Sequence, residues 1–307
     1  MNTKLKTSSN VKGVGFLVLA LLIFSLQNVA IKWINADYSI MEIVTIRSII
    51  ALPCTIILFR LEGNRGLPKT KLHKLEYLRG FFLFLSYTTH LMGIAALSLA
   101  AVESIRFSAP LMITFLSILI LGEKVSWKRW FALVVGFVGI LFVVEPGSSS
   151  FNFGYLFMLV SVLFYALSIM ITRKLHTADS SATMAYFSSL VYFGAAFILS
   201  PLAIAIGEVP NAHPSIAFLF RAWSMPTLID GIVIAGLGLV WAGGLYLMSR
   251  AYSLAKTSVA AQFEYISLPI NVLWGLIIWQ EIPTLMTLVG ALLTLFSGLY
   301  VLYHERK

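Results

Sequence analysis

The residues with chemistry to offer in this chain stand inside its apolar runs. Glu103, Arg106, Pro110, Thr114 and Ser117 follow one another at steps of 3, 4, 4 and 3 residues, the spacing that holds side chains on one face of a helix. A charge in such a setting must find a partner or water, at a cost of about 2.5–3.5 kcal/mol on membrane-insertion scales. Arg106 suits an anionic ligand, because a planar guanidinium gives two parallel hydrogen bonds to one carboxylate or phosphate. Glu103, one turn earlier, would neutralise it at rest. Pro110 has no N–H to donate, which releases the carbonyl of Arg106 four residues back for ligand or water. The same pair also has a structural reading, in which Glu103 and Arg106 neutralise each other near the outer surface and reach to water.

A second proline, Pro269, stands in a similar run. Counting back from it by the same steps puts Tyr265 in the place of Arg106 and Gln262 in the place of Glu103. Glu264 lies off that stripe and lines up with Ser267 and Asn271, so this run has two polar faces. As the only acid well inside the run, Glu264 is a candidate for proton coupling. An acid reaching to the inner interface explains it equally well.

The elements that must position these residues are visible in the composition. Of 307 residues, 59% are hydrophobic and 11% charged, with a mean hydropathy of +0.90, whereas soluble domains are about 25% charged. Ten apolar runs of about 20 residues cover 14–33, 40–59, 78–98, 101–121, 129–145, 153–172, 181–206, 228–250, 258–279 and 284–303. Helices are the expected form, since strands spanning a membrane would show ten-residue alternation instead. The first run follows Lys4, Lys6 and Lys12 as a signal peptide would, but no convincing cleavage site follows it, so it reads as a retained helix. The lone Cys54 excludes a disulfide framework.

Charge placement gives the topology. With the N-terminus inside, eighteen of the 22 lysines and arginines fall on the cytoplasmic side, only Lys32 and Arg221 lie outside, and Arg47 and Arg106 stand within runs. That bias places both termini in the cytoplasm. It also accounts for the net charge of +9 without a nucleic-acid partner.

The second half echoes the first. Ala96-Leu97-Ser98-Leu99-Ala100 corresponds to Ala251-Tyr252-Ser253-Leu254-Ala255, Pro110 to Pro269, and Leu121-Gly122-Glu123 to Trp279-Gln280-Glu281. The expected architecture is therefore all-α and integral to the membrane, with ten transmembrane helices as two five-helix repeats, 1–148 and 149–307. Five being odd, the second repeat enters the membrane in the opposite sense. Glu123 and Glu281 end equivalent runs at opposite membrane faces, where water is near.

Arg47, Leu78-Arg79-Gly80, Pro110, Gly122-Glu123-Lys124-Val125-Ser126, Gly136 and Gly139, repeated in part at Pro269, Glu281, Gly290 and Gly298, occur in an order that resembles the drug/metabolite transporter superfamily, EamA type, along nearly the whole chain. The polar segment from Val209 to Pro226 is longer than the family's tight loop. The resemblance implies secondary transport of a small organic metabolite (an amino acid, vitamin or nucleoside-like compound) through a cavity between the halves in a cytoplasmic membrane. The Leu78-Arg79-Gly80 and Trp130-Phe131 stretches are similar to members that take up S-adenosylmethionine or riboflavin. It further implies that Gln27, Asn28, Tyr87, His90, Tyr165 and Ser168 come from cavity-lining helices, where Trp241 is placed to stack a planar substrate; interhelix packing is the competing role for each aromatic. Arg47 reads as mainly structural, pairing with backbone carbonyls or a helix end.

Rival functions fare worse. The five histidines are scattered, and there is neither a His-Glu-x-x-His pair nor a Gly-x-x-x-x-Gly-Lys loop. A catalytic centre, a metal site, a cofactor and ATP-driven pumping are thus not expected. A passive channel remains the main alternative, and a membrane-embedded enzyme the weaker one.

Overall fold

The apolar runs fold into helices. The computed structural model of the protein describes residues 2–63, 65–121, 127–147, 151–175, 178–254 and 266–305, and among the described residues the regular elements are all helical. In chain order they are α1 (Asn2–Ile34), α2 (Ile40–Leu61), α3 (His73–Ile94), α4 (Leu99–Arg106), α5 (Ala109–Leu121) and α6 (Trp127–Val144). There follow α7 (Gly154–Leu175), α8 (Ser181–Ile206), α9 (Pro214–Phe220), α10 (Leu228–Leu254), α11 (Ser267–Trp279) and α12 (Leu285–Glu305). Serines start three of them: Ser39, Ser98 and Ser180 each accept a backbone N–H three residues on, at 3.1–3.2 Å, which satisfies a donor that has no partner inside the helix.

Among the described residues, five stretches are long and apolar enough to cross a membrane: Val11–Ile34, Ile40–Leu61, Gly154–Thr172, Ala182–Ile206 and Leu228–Met248. Trp130–Val144, Ser267–Trp279 and Leu285–Ser297 are shorter apolar helices. Large apolar side chains such as Phe197, Ile198, Leu228 and Ile277 are exposed on them, as lipid contact requires. The protein is a multi-pass membrane protein.

One expectation fails here. The run 101–121 is not a single helix but breaks at Phe107–Ser108 into α4 and α5, so Glu103 and Arg106 do not share a continuous stripe with Pro110, Thr114 and Ser117. The cause is local. Pro110 has no N–H to donate to the carbonyl of Arg106, and the ladder ends with Phe107 N–H bonded to Glu103 O at 3.0 Å and Ser108 N–H to Ile105 O at 2.9 Å. Pro269 likewise sits in the first turn of α11.

Packing partners form a regular scheme. α3 lies against α7 and α1 against α10; α2 contacts both α8 and α10, and α3 contacts α8; α6 pairs with α12, and α4 with α11. The α6–α12 seam is built from small residues: a Cβ on Gly139 would stand 2.8 Å from Gly290 O, and one on Gly290 would stand 2.5 Å from Gly139 O. Only glycine lets those backbones approach so closely. The long segment before α10 is not a loose loop. Its helix α9 packs on α3 with Phe218 buried, and it is tied down by His213 Nε2, 3.0 Å from Asn152 Oδ1. Burial holds the His213 imidazole below its ordinary pKa.

Candidate functional site

A cavity of about 260 Å³ lies among α1, α3, α4, α7, α8 and α10. Two helices supply most of its wall because their polar and aromatic residues recur at helical steps. On α3 these are Arg79, Leu83, Ser86, Tyr87 and His90; on α7 they are Met158, Ser161, Val162, Tyr165, Ser168, Ile169 and Thr172. Ser161 donates to Ser86 O at 2.7 Å and so holds the two faces together. Phe24, Gln27 and Asn28 come from α1, Arg106 from α4, Ser188 and Tyr192 from α8, and Trp241 and Met248 from α10. From Arg79 to His90 the cavity follows α3 for about 16 Å, at 1.5 Å per residue.

One wall is aromatic. Tyr87, Tyr192 and Trp241 stand with ring centroids 5.5–5.9 Å apart. Behind them Arg47 is 1% exposed, its guanidinium carbon 4.0 Å from the Tyr87 centroid, 4.6 Å from Trp241 and 5.2 Å from Tyr192. The expectation that Arg47 pairs with carbonyls is thus replaced by a cation against three π faces, an interaction that strengthens when water is excluded. Its Nε and Nη1 have no hydrogen-bond partner among the described residues.

Each end of the cavity carries a Glu-x-x-Arg pair. At one end Arg106 Nη1 is 3.5 Å from Glu103 Oε1, and Glu103 accepts Asn28 Nδ2 on Oε1 and Ser267 Oγ on Oε2, both at 3.2 Å. Asn28 also donates to Asn271 Oδ1 at 3.2 Å, so one polar layer joins α1, α4 and α11. Beyond it lies a second layer. Lys32 pairs with Glu281 and donates to Leu97 O at 3.0 Å, while the other Glu281 oxygen accepts the N–H of Leu99 at 3.2 Å. Gln280 ends α11 in the left-handed region, φ 55°, which turns Glu281 back toward α1.

At the opposite end Arg79 donates from Nε to Thr172 Oγ1 at 2.8 Å, and from Nη1 to Met184 O at 3.0 Å and Ser188 Oγ at 2.8 Å. Gly80 makes this reach possible: a Cβ there would stand 2.8 Å from Val191, so its absence lets α8 close on α3.

Of the residues read from sequence, the cavity brings together Gln27, Asn28, Tyr87, His90, Arg106, Tyr165, Ser168 and Trp241. Glu103 and Asn271 stand in the polar layer beside it. Gln262, Glu264 and Tyr265 lie outside the described residues, as does Glu123. Sequence reasoning gives no site role to Arg79, Tyr192, Ser161 or Thr172; the α7 stripe at steps of three and four is the available signal for the last two.

A polytopic helical protein with a polar and aromatic cavity between its helices has the form of a membrane carrier. Residues 11–145 match the EamA-like transporter family. Over 311 residues the chain is 27% identical to the S-adenosylmethionine uptake transporter of Rickettsia bellii, covering 100% of this chain and 98% of that protein. It is 26% identical to the riboflavin transporter of Vibrio cholerae over 208 residues, 66% of this chain and 62% of that one. To the pseudopaline exporter CntI of Pseudomonas aeruginosa it is 29% identical over 286 residues, 92% of each. A solved crystal structure shares the fold with a TM-score of 0.66 at 12% identity, over 98% of this chain and 99% of that one. In its first half by the family match, and over its full length by these relatives, the chain is similar to EamA-like transporters of the drug/metabolite transporter superfamily. It is a metabolite transporter and not an enzyme.

Proposed function

We propose that this chain is a secondary carrier of S-adenosylmethionine or a closely similar metabolite, working by alternating access in a cytoplasmic membrane with both termini inside. The observation that carries this reading is the cavity. Its volume lies just below the roughly 300–1,000 Å³ of small-molecule pockets. The Tyr87, Tyr192 and Trp241 rings suit a planar base, and an arginine at either end suits a carboxylate. Full-length similarity to the Rickettsia proteins named for S-adenosylmethionine uptake supports that substrate over riboflavin.

Two five-helix halves, 1–148 and 149–307, fit the packing scheme. Taking α4 with α5 as the fourth span and leaving α9 aside, exchange of each span with the one five places on turns α3–α7 into α10–α1 and α2–α10 into α8–α3. It leaves α2–α8 and α6–α12 unchanged. Inverted repeats put the substrate between the halves, where this cavity lies. Lys32 lies on the outer side by the charge bias, which makes the Lys32–Glu281 layer and the Asn28–Glu103–Asn271 layer the closed outer gate.

The test is counterflow in proteoliposomes. Vesicles preloaded with unlabelled S-adenosylmethionine should accumulate the labelled compound transiently, saturably and only with protein present. Flux that neither saturates nor responds to internal substrate would refute the carrier reading.

A further inference from the structure

Glu76 is an acid for which the fold has made no ordinary provision. It lies two residues before the apolar stretch of the third run, in the first turn of α3, and is 0% exposed. Neither carboxylate oxygen has a hydrogen-bond partner among the described residues. Two charged groups act on it: Arg79 from its own helix, with Nη1 3.8 Å from Oε2, and Asp179 from the segment leading into α8. Asp179 in turn accepts the hydroxyl of Thr70 at 2.6 Å. A buried carboxylate with no hydrogen bonds is expensive to keep ionised, and a second negative charge beside it adds to the cost.

Arg79 faces the other way as well. It lines the cavity while its Nε and Nη1 are committed to Thr172, Met184 O and Ser188. The guanidinium therefore stands between two claimants, the carboxylate of Glu76 and whatever anionic group enters the cavity.

We propose that Glu76 is the proton-carrying residue of this transporter, coupling a proton to the substrate by competing with the substrate's carboxylate for Arg79. With the site empty, ionised Glu76 neutralises Arg79. Protonation of Glu76 from water releases the guanidinium, and the substrate's carboxylate takes its place; no covalent bond changes. The charge is balanced in both states, so proton and carboxylate bind and travel together, one for one. This deepens the transport reading and rests on it.

The experiment uses the full-length protein in liposomes with radiolabelled S-adenosylmethionine. For the unaltered protein, affinity is expected to rise by up to tenfold per unit as pH falls toward about 7, where Glu76 takes up its proton, and to level off below about pH 6, and an inward proton gradient should drive accumulation. In Glu76→Gln, which is permanently uncharged, counterflow should persist while gradient-driven accumulation and the pH dependence of affinity are lost. Accumulation by Glu76→Gln equal to that of the unaltered protein would overturn the proposal. If that variant does not reach the membrane, the unaltered protein decides: pH-independent affinity overturns the coupling and leaves carrier function standing. Failure of the unaltered protein to exchange S-adenosylmethionine at any pH would overturn the transport reading and this inference with it.

Discussion

Replacing Glu281 by Gln removes the charge that binds α11 to α1 and keeps the side chain's size. Glu281 accepts from Lys32 through one oxygen and from the N–H of Leu99 through the other, and the two ionic side chains are 10% and 25% exposed, so salt screens them only in part. A hydrogen bond to a charged group contributes about 1.5–3 kcal/mol, and a neutral one about 0.5–1.5. Exchange of one for the other costs about 1–2 kcal/mol. With this layer as the outer gate proposed above, these contacts exist only while α1, α4 and α11 are together there, so the loss falls on the closed state alone, which shifts the balance toward outward opening by about 5–30-fold. Accessibility from outside reads this directly. With Cys54→Ser as background, the thiol introduced by Gln27→Cys in the cavity wall is labelled by a membrane-impermeant maleimide, and Glu281→Gln should speed that labelling by the same factor. An unchanged rate in both Glu281→Gln and Lys32→Gln, at normal membrane abundance, would refute the assignment of this layer as a gate.

Arg106→Lys should raise the KM for S-adenosylmethionine about tenfold or more, since an ammonium lacks the two-pronged donor set. The double change Glu103→Gln with Arg106→Gln should not restore transport; restoration would mean that Arg106 serves only Glu103. Gly139→Leu, whose Cβ would meet the Gly290 carbonyl at 2.8 Å, should abolish membrane accumulation, whereas Gly194→Leu, with nothing within 4 Å of its Cβ, should be tolerated; immunoblots of membrane fractions compare them. Reporter fusions after Arg65 and after Val209 should read inside and outside respectively, and a common side would defeat the topology.

How much was legible depended on whether a signal is carried by one stretch of chain or by two. The spans were legible because hydropathy is local: α1, α2, α7, α8 and α10 lie where the apolar runs place them. Residues facing the cavity from α1, α3 and α7 were legible because polar side chains in apolar helices need a reason to be there. The break before Pro110 was half legible, since the proline announces a freed carbonyl but not that the ladder stops at Phe107. Arg79 was not legible. At the edge of a run it reads as a loop cation, and the acceptors that draw it inward come from α7 and α8, 93 to 109 residues further on. Arg47 was misread for the same reason: the rings that receive it come from α3, α8 and α10.

The two Glu-x-x-Arg pairs carry this point into mechanism. Glu76–Arg79 and Glu103–Arg106 have the same spacing on a helix, and each has a nearly fully buried glutamate, so neither propensity nor pattern separates them. Their surroundings do. Glu103 accepts from Asn28 and Ser267 as well as pairing with Arg106, so it belongs to a completed network that joins three helices, and disturbing it disturbs their closure. Glu76 accepts nothing among the described residues, and its arginine is held by other acceptors in a position that also reaches the cavity. A satisfied buried polar group rigidifies the fold, and an unsatisfied one is a place where charge can change. The Glu103–Arg106 pair is therefore suited to holding helices together, and the Glu76–Arg79 pair to exchanging a proton against a ligand.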